Sequence, residues 1–311
     1  MSTTSIFRKT TAVLTAAALA LSVSACNRDT AGGGGAVTLA LSTQTNPFFV
    51  QVRDGAQDKA DELGIKLNIQ DASDDAATQT NQLNNAVTSG AQAVIVNPTD
   101  SDAVVPAVKA LNNAKIPVIA VDRSANGGEV ASFISSDNVA GGEQAADALA
   151  EAIGEQGEIL VLQGIAGSSA SRDRGKGFRE GIAKYPNITV VAEQTANFDR
   201  TEGLDVATNL LQANPNVTAI FAENDEMALG AIEALGARAG NEVMVIGFDG
   251  TADGLNAVKD GTMHATIAQQ PGKLGAQAVA EAAKLINGET PTAIIPVEVI
   301  TVGKDNVEEF A

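Results

Sequence analysis

The chain of 311 residues has no tryptophan, one tyrosine, one histidine and one cysteine, and only 3% of it is aromatic. A lone histidine, His264, leaves histidine-dependent triads and multi-histidine metal sites almost nothing to work with. A lone cysteine, Cys26, has no internal disulfide partner. Basic residues are also scarce. Lys and Arg number 20 against 38 Asp and Glu, a formal charge of −18. Such a surface repels phosphate backbones, which excludes a nucleic-acid partner and keeps an exposed protein in solution. What is plentiful is core material. At 44% hydrophobic and 19% charged, the chain is suited to packed cores, and its length suits about two domains.

Residues 1–25 read as an export signal. Arg8 and Lys9 precede an apolar stretch from Ala12 to Val23 that is interrupted by Thr15 and Ser22 and is too short to span a bilayer with ease. No later segment is long and apolar enough to do so. The signal ends in Val23-Ser24-Ala25-Cys26, which resembles a bacterial lipobox and implies cleavage before Cys26 and lipid attachment to it. The plain alternative is an ordinary signal with an incidental cysteine. Loss of Arg8 and Lys9 takes the charge to −20. Residues 27–36, with Gly32 to Gly35 in a run, form a tether spanning roughly 15–20 Å. No Lys-Ser or Lys-Thr follows the glycines, so they are not a phosphate loop.

From Val37 onward short apolar runs alternate with amphipathic stretches. Strands are predicted at Val37–Leu41, Lys66–Gln70, Ala93–Val96 and Val118–Val121, with helices over Phe49–Leu63, ended by Gly64, and Ala76–Ser89, stopped at Gly90. A second series has strands at Ile159–Leu162, Thr189–Ala192, Ala219–Ala222 and Val243–Phe248. Continuous apolar strands alternating with helices imply parallel sheets covered on both faces, and two series imply two doubly wound α/β lobes. Ligands of such sheets sit beyond the carboxyl ends of the strands. There the chain carries Asn46 with Phe48 and Phe49, Asp122-Arg123, Asn224, Asp249 and Gln269, and no nucleophile with its base. Those groups suit a neutral polyol. Each hydroxyl pairs with a carboxylate or amide oxygen on one side and an arginine or amide N–H on the other, and C–H faces pack on aromatic rings. Phe48, Phe49 and Phe198 fall at predicted loop positions. Taken singly, each residue has an ordinary alternative: Asp122 or Asp249 as a helix cap, Phe48 or Phe49 as core, Arg174 as a solvated helix charge.

The pattern is carried by long segments: Thr45-Asn46-Pro47-Phe48-Phe49-Val50, Asn97-Pro98-Thr99-Asp100-Ser101-Asp102-Ala103-Val104, Ser136-Asp137-Asn138-Val139 and Leu162-Gln163-Gly164-Ile165-Ala166-Gly167. Phe198-Asp199-Arg200-Thr201, Asn224-Asp225-Glu226-Met227-Ala228-Leu229-Gly230 and Val245-Ile246-Gly247-Phe248-Asp249-Gly250 continue it. From Val37 to about Val302 the chain resembles the ribose-binding proteins of bacterial ABC importers, in the type I periplasmic-binding-protein superfamily. The resemblance implies a sugar held by Asn46, Phe48, Phe49, Asp122, Arg123, Arg174, Phe198, Asn224, Asp249 and Gln269, with the three phenylalanines stacking on its ring. It implies two lobes, 37–136 plus 270–298 and 137–269 plus 299–311, joined by a three-strand hinge and closing on a ligand that touches both. No cofactor or metal is expected. The expected partners are a monosaccharide (ribose, or else allose, galactose, xylose or autoinducer-2), an ABC permease, and the membrane through the Cys26 anchor of a monomer on the extracytoplasmic face.

Two other classes fit less well. A sugar-responsive repressor shares the two-lobed core but needs a helix-turn-helix and a basic face, where this chain has a signal and net acidity. A paired-carboxylate hydrolase would have to use Asp122 and Asp249, both of which match binding positions. Asp71, Asp74 and Asp75 lack the spacing and distal glutamate of a calcium loop and read as capping and solvated charges.

Overall fold

The computed structural model describes residues 35–310; the signal segment and Cys26 lie outside the described residues. The first sheet is built from β1 (Val37–Leu41), β2 (Leu67–Asp71), β3 (Ala93–Val96), β4 (Val118–Val121), β5 (Ser132–Ser136) and a late strand, β11 (Ile294–Val297). Its order is β2-β1-β3-β4-β5-β11 and every pairing is parallel. Three helices lie between these strands: α1 (Pro47–Leu63), α2 (Ala76–Ser89) and α3 (Val105–Asn113). The second sheet holds β6 (Gln156–Gln163), β7 (Asn187–Thr195), β8 (Val217–Ala222), β9 (Met244–Asp249), β10 (Ala265–Ala268) and β12 (Ile300–Gly303). It runs β7-β6-β8-β9-β10-β12, with only β12 antiparallel. Its helices are α4 (Asn138–Ala152), α5 (Ser169–Ile182), α6 (Arg200–Ala213), α7 (Asp225–Leu235) and α8 (Ala252–Asp260), while α9 (Pro271–Ile286) returns to the first sheet.

The strand period of two explains why both faces are covered. Leu39 and Leu41 of β1 and Ile95 of β3 enter one core with Phe48 and Phe49 of α1 and Leu274, Ala278 and Val279 of α9. The intervening Ala40, Val94 and Val96 enter another, with Leu83 of α2 and Val108 and Leu111 of α3. Helices α1 and α9 cross closely because Gly275 has no side chain. A Cβ there would lie 2.0 Å from the Val52 carbonyl oxygen.

Local chemistry sets where the elements begin and end. Asn46 caps α1, accepting from the Phe48 N–H at 2.9 Å, and Pro47 takes the first helical position. The helix therefore starts two residues before the predicted Phe49. Gly64 and Gly90 end α1 and α2 in the left-handed conformation, as expected. Asp75 caps α2 through the Thr78 N–H, the capping role read from the sequence. The chain passes between the sheets three times, at Asp137, at Gln269-Gln270 and at Glu298-Val299. Loops of the two halves also touch: Ser101 N donates to the Gly167 carbonyl at 3.0 Å, and Ser124 N to Ser169 Oγ at 2.8 Å.

Candidate functional site

The carboxyl ends of both sets of strands face one narrow cleft, lined by Asn46, Phe48, Phe49, Asp122, Arg123, Ala170, Arg174, Phe198, Asn224 and Asp249. Nine of the ten residues expected from the sequence are thus brought together. The tenth, Gln269, follows β10 and joins through Asp249, to whose Oδ1 its Nε2 donates at 2.6 Å.

Each side chain is aimed by a specific local device. Phe48 and Phe49 sit in the first turn of α1 rather than on a loop, because the Asn46-Pro47 cap starts the helix early. Their rings meet edge to face at 5.1 Å. They are both core and lining, so the two readings of these residues hold together. Asp122 and Arg123 leave β4 through a left-handed residue, with Asp122 at φ 63°. Phe198 at φ 63°, and Asp249 at φ 128°, the last residue of β9, are also non-glycine residues in positive-φ backbone. Such conformations cost of order 1–3 kcal/mol and concentrate at functional sites. Asn224 caps α7, accepting from Met227 N at 2.9 Å while its amide donates to the Phe198 carbonyl at 3.1 Å. Arg174, in the second turn of α5, is 3% exposed and so is not a solvated helix charge.

The arginines organise the interior. The Arg123 guanidinium lies 5.1 Å from the Phe49 ring centre and 5.5 Å from that of Phe198. Arg174 lies 5.7 Å from Phe198 and 3.8 Å from Phe248. A layered series of rings and guanidinium planes therefore runs through the site, held by cation–π attraction. Each arginine also faces a carboxylate, Arg123 Nε at 3.7 Å from Asp122 Oδ2 and Arg174 Nη1 at 3.5 Å from Asp249 Oδ1. Burial pushes the Asp122 carboxyl above its usual range, opposed by Arg123. Burial raises Asp249 further, opposed by Arg174 and reinforced by the neighbouring Asp225 charge. Among the described residues, three buried polar atoms of the ten site side chains have no hydrogen-bond partner: Asp122 Oδ1, Arg123 Nε and Gln269 Oε1. An unmet buried group costs about 1–3 kcal/mol, so a site with two unmet acceptors and one unmet donor is matched to a ligand rich in hydroxyls. Among the described residues, the lining contains no Ser, Cys, His or Lys.

A surrounding layer was not read from the sequence. Asn138 Oδ1 accepts from Arg174 Nε at 2.9 Å, and the Glu223 carbonyl accepts from Arg174 Nη1 at 2.6 Å. Asn97 donates to Asp122 Oδ2 at 3.2 Å, and Ala170 supplies lining. Glu223 and Asp225 are buried on either side of Asn224. Their only signal was that adjacency, since a carboxylate beside a site residue looks the same in sequence whether it points to water or to the core.

Residues 37–290 match the model of the periplasmic binding protein domain. The chain belongs to that family. Among its relatives, the ribose import binding protein of Salmonella typhimurium is 48% identical over 293 residues, covering 94% of this chain and 97% of the relative. The ribose import binding protein of Bacillus subtilis is 44% identical, covering 81% and 82%. Among solved structures, a periplasmic solute binding protein of an ABC transporter from Actinobacillus succinogenes with bound D-allose superposes at TM-score 0.83 and 34% identity, covering 88% of this chain and 99% of that one. The Caulobacter myo-inositol binding protein superposes at 0.84 with 34% identity, covering 88% and 94%. The two-sheet architecture is that of these periplasmic binding proteins.

Proposed function

We propose that this chain is the extracytoplasmic sugar-binding component of an ABC importer, that its sugar is ribose, and that it carries out no reaction on it. The observation that carries the reading is one cleft lined by the donors and acceptors of Asn46, Asp122, Arg123, Arg174, Asn224 and Asp249 together with the rings of Phe48, Phe49 and Phe198. Relatives at 44–48% identity bear the name of ribose import binding proteins, which supports the pentose assignment. The allose-bound relative at 34% identity favours a second reading, a six-carbon sugar in the same cleft.

The two lobes are residues 37–136 with 270–298 and 137–269 with 299–311, and the three crossings act as the hinge. A ligand bonded to Asp122 and Arg123 of one lobe and to Arg174, Asn224 and Asp249 of the other stabilises the closed form through that differential contact. The permease then reads the closed form. Cys26 carries the lipid that holds the monomer to the membrane, with residues 27–36 as tether. Calorimetric titration of the domain from residue 27 against ribose, allose, galactose, xylose and arabinose tests the assignment. Ribose should bind one-to-one and most tightly, and be recovered unchanged; tighter binding of any of the others would overturn the choice of sugar.

A further inference from the structure

Asn224, Asp249 and Gln269 stand at the ends of three adjacent strands, β8, β9 and β10. One buried side chain just beyond β8 ties the turn after β9 to the interior of β10. Asp225 is 0% exposed, and its Oδ2 accepts from Thr251 N at 2.8 Å and from Thr251 Oγ1 at 3.0 Å. Its Oδ1 accepts from Thr266 Oγ1 at 2.7 Å, and that hydroxyl in turn accepts from Gly250 N at 3.2 Å. The bonds close around the Asp249-Gly250-Thr251 turn, where Asp249 is held at φ 128°. Space for the carboxylate is cut by two glycines. A Cβ at Gly247 would lie 2.4 Å from Oδ1, and one at Gly254 would lie 2.2 Å from Oδ2. Among the described residues no lysine or arginine pairs with it, so this is an acid buried among neutral donors.

Burying a carboxylate without a cation is costly, and an asparagine-sized amide would fill the same space at lower desolvation cost. A merely structural tie therefore gives no reason for the charge. The geometry supplies one. The carboxylate accepts on both oxygens at once, which an amide cannot do because one end is a donor. Three donors, two on Thr251 just beyond β9 and one on Thr266 within β10, are gathered by an acceptor at each end of the side chain. We propose that Asp225 is a positioning residue for the sugar site: it locks the strained turn after β9 to β10, so that Asp249 points between Arg174 and Gln269 toward the ligand. The proposal rests on the sugar-binding reading of the cavity and assigns Asp225 no contact with the sugar. Its charge also pushes Asp249 toward protonation, a second route by which it acts on that residue. Burial holds Asp225 itself up to about 6. The other charged groups facing Asp249 are Arg174, Asp122 and Arg123.

A mutant cycle and a titration on the otherwise unaltered protein test this. Asp225→Asn should weaken ribose binding by roughly five- to fiftyfold, the range in which contacting residues couple. In an Asp249→Ala background the same change should alter affinity by less than about twofold, because the residue it aims is gone. In the sugar-free protein, Asp225→Asn should also lower the titration midpoint of the Asp249 carboxyl, followed by carbon NMR and assigned by its loss in Asp249→Asn. Thr266→Val guards against misfolding of the first variant. It removes the hydroxyl that bonds Asp225 and Gly250 N without changing charge, and its loss of affinity should likewise vanish in the Asp249→Ala background. Wild-type affinity in Asp225→Asn, or losses that simply multiply with that of Asp249→Ala, would overturn the proposal. If wild type binds none of the sugars, the ligand assignment fails, while an unmoved Asp249 midpoint still overturns the role of Asp225.

Discussion

A methyl group added at Gly164 would act on the sugar site without touching a polar group. Gly164 follows β6, and a Cβ there would lie 2.1 Å from Cζ of Phe198, with the whole ring edge inside 2.5 Å. Ordinary contact begins near 3.4 Å, so in Gly164→Ala the ring has to retreat by about 1.3 Å. Its backbone is free to stay as it is. The Gly164 N–H still donates to Glu223 and its carbonyl still accepts from Thr195 Oγ1 at 2.7 Å. The displaced ring loses its place over Arg123 and Arg174 and its face toward the cavity. Each cation–π contact is worth about 0.5–2 kcal/mol, and a gap of 0.5–1 Å forfeits a quarter to a half of a dispersion contact. A loss of roughly 1–2.5 kcal/mol follows, which is about a five- to sixtyfold rise in Kd. Calorimetry on Gly164→Ala beside Phe198→Ala measures it, since deletion of the ring sets the ceiling. Unchanged affinity in Gly164→Ala, with Phe198→Ala impaired, would refute the claim that Gly164 is the seat of the ring.

Three further outcomes follow from the site and the anchor. Asp249→Ala should raise the Kd for ribose about ten- to a hundredfold, the cost of leaving hydroxyls unpaired beside charged partners, as read by calorimetry. Glu223 is held at about 7 by burial against the bonds from Gly164 N and Ser171 Oγ, so the folded state takes up its proton between about 4.5 and 7 when the unfolded chain does not. Stability from this group therefore rises as pH falls through that window, by up to about 1.4 kcal/mol per unit. Denaturant unfolding at pH 5 and 7 should show Glu223→Gln with a flatter pH dependence than wild type. Cys26→Ala should move the protein from the membrane to the soluble fraction with sugar affinity unchanged; retention in high salt, which screens charge adhesion, would end the anchor reading.

The inner strands and the residues beyond them were legible because burial on both faces forces unbroken apolar runs. Val118-Ile119-Ala120-Val121 admits few other interpretations, and the Asp-Arg pair directly after it falls at the sheet's ligand-facing edge. The last two strands on the β11 side of the first sheet were not. In β5, Ser132-Phe133-Ile134-Ser135-Ser136 mixes polar with apolar residues, and in β11 the apolar run is broken by Pro296, which has no N–H to give a ladder, and includes an Ile294 that is 68% exposed. The predicted helix opens at Phe49, whereas the observed one opens at Pro47 and takes Phe48 into its first turn. Asn46 turns that proline into a helix start. The supporting layer of Asn97, Asn138, Glu223 and Asp225 depends on which strand ends meet, and that is settled only by tertiary structure.

The late return of the chain to the first sheet bears on how the protein is made. Leu274, Ala278, Val279 and Ala282 of α9 seal the core over β1, β3 and β4, and β11 closes the sheet edge beside β5. A nascent chain that has all five early strands of that sheet still lacks its covering helix until about residue 286 and its last strand until residue 297. Residues 137–268, which form most of the second sheet, lie in between. The first core therefore stays open through nearly the whole of synthesis, and the ends of the fold are joined by contacts more than 200 residues apart. Loop closure of that length delays folding, and a chain that folds late remains longer in the extended form that a narrow translocation channel admits.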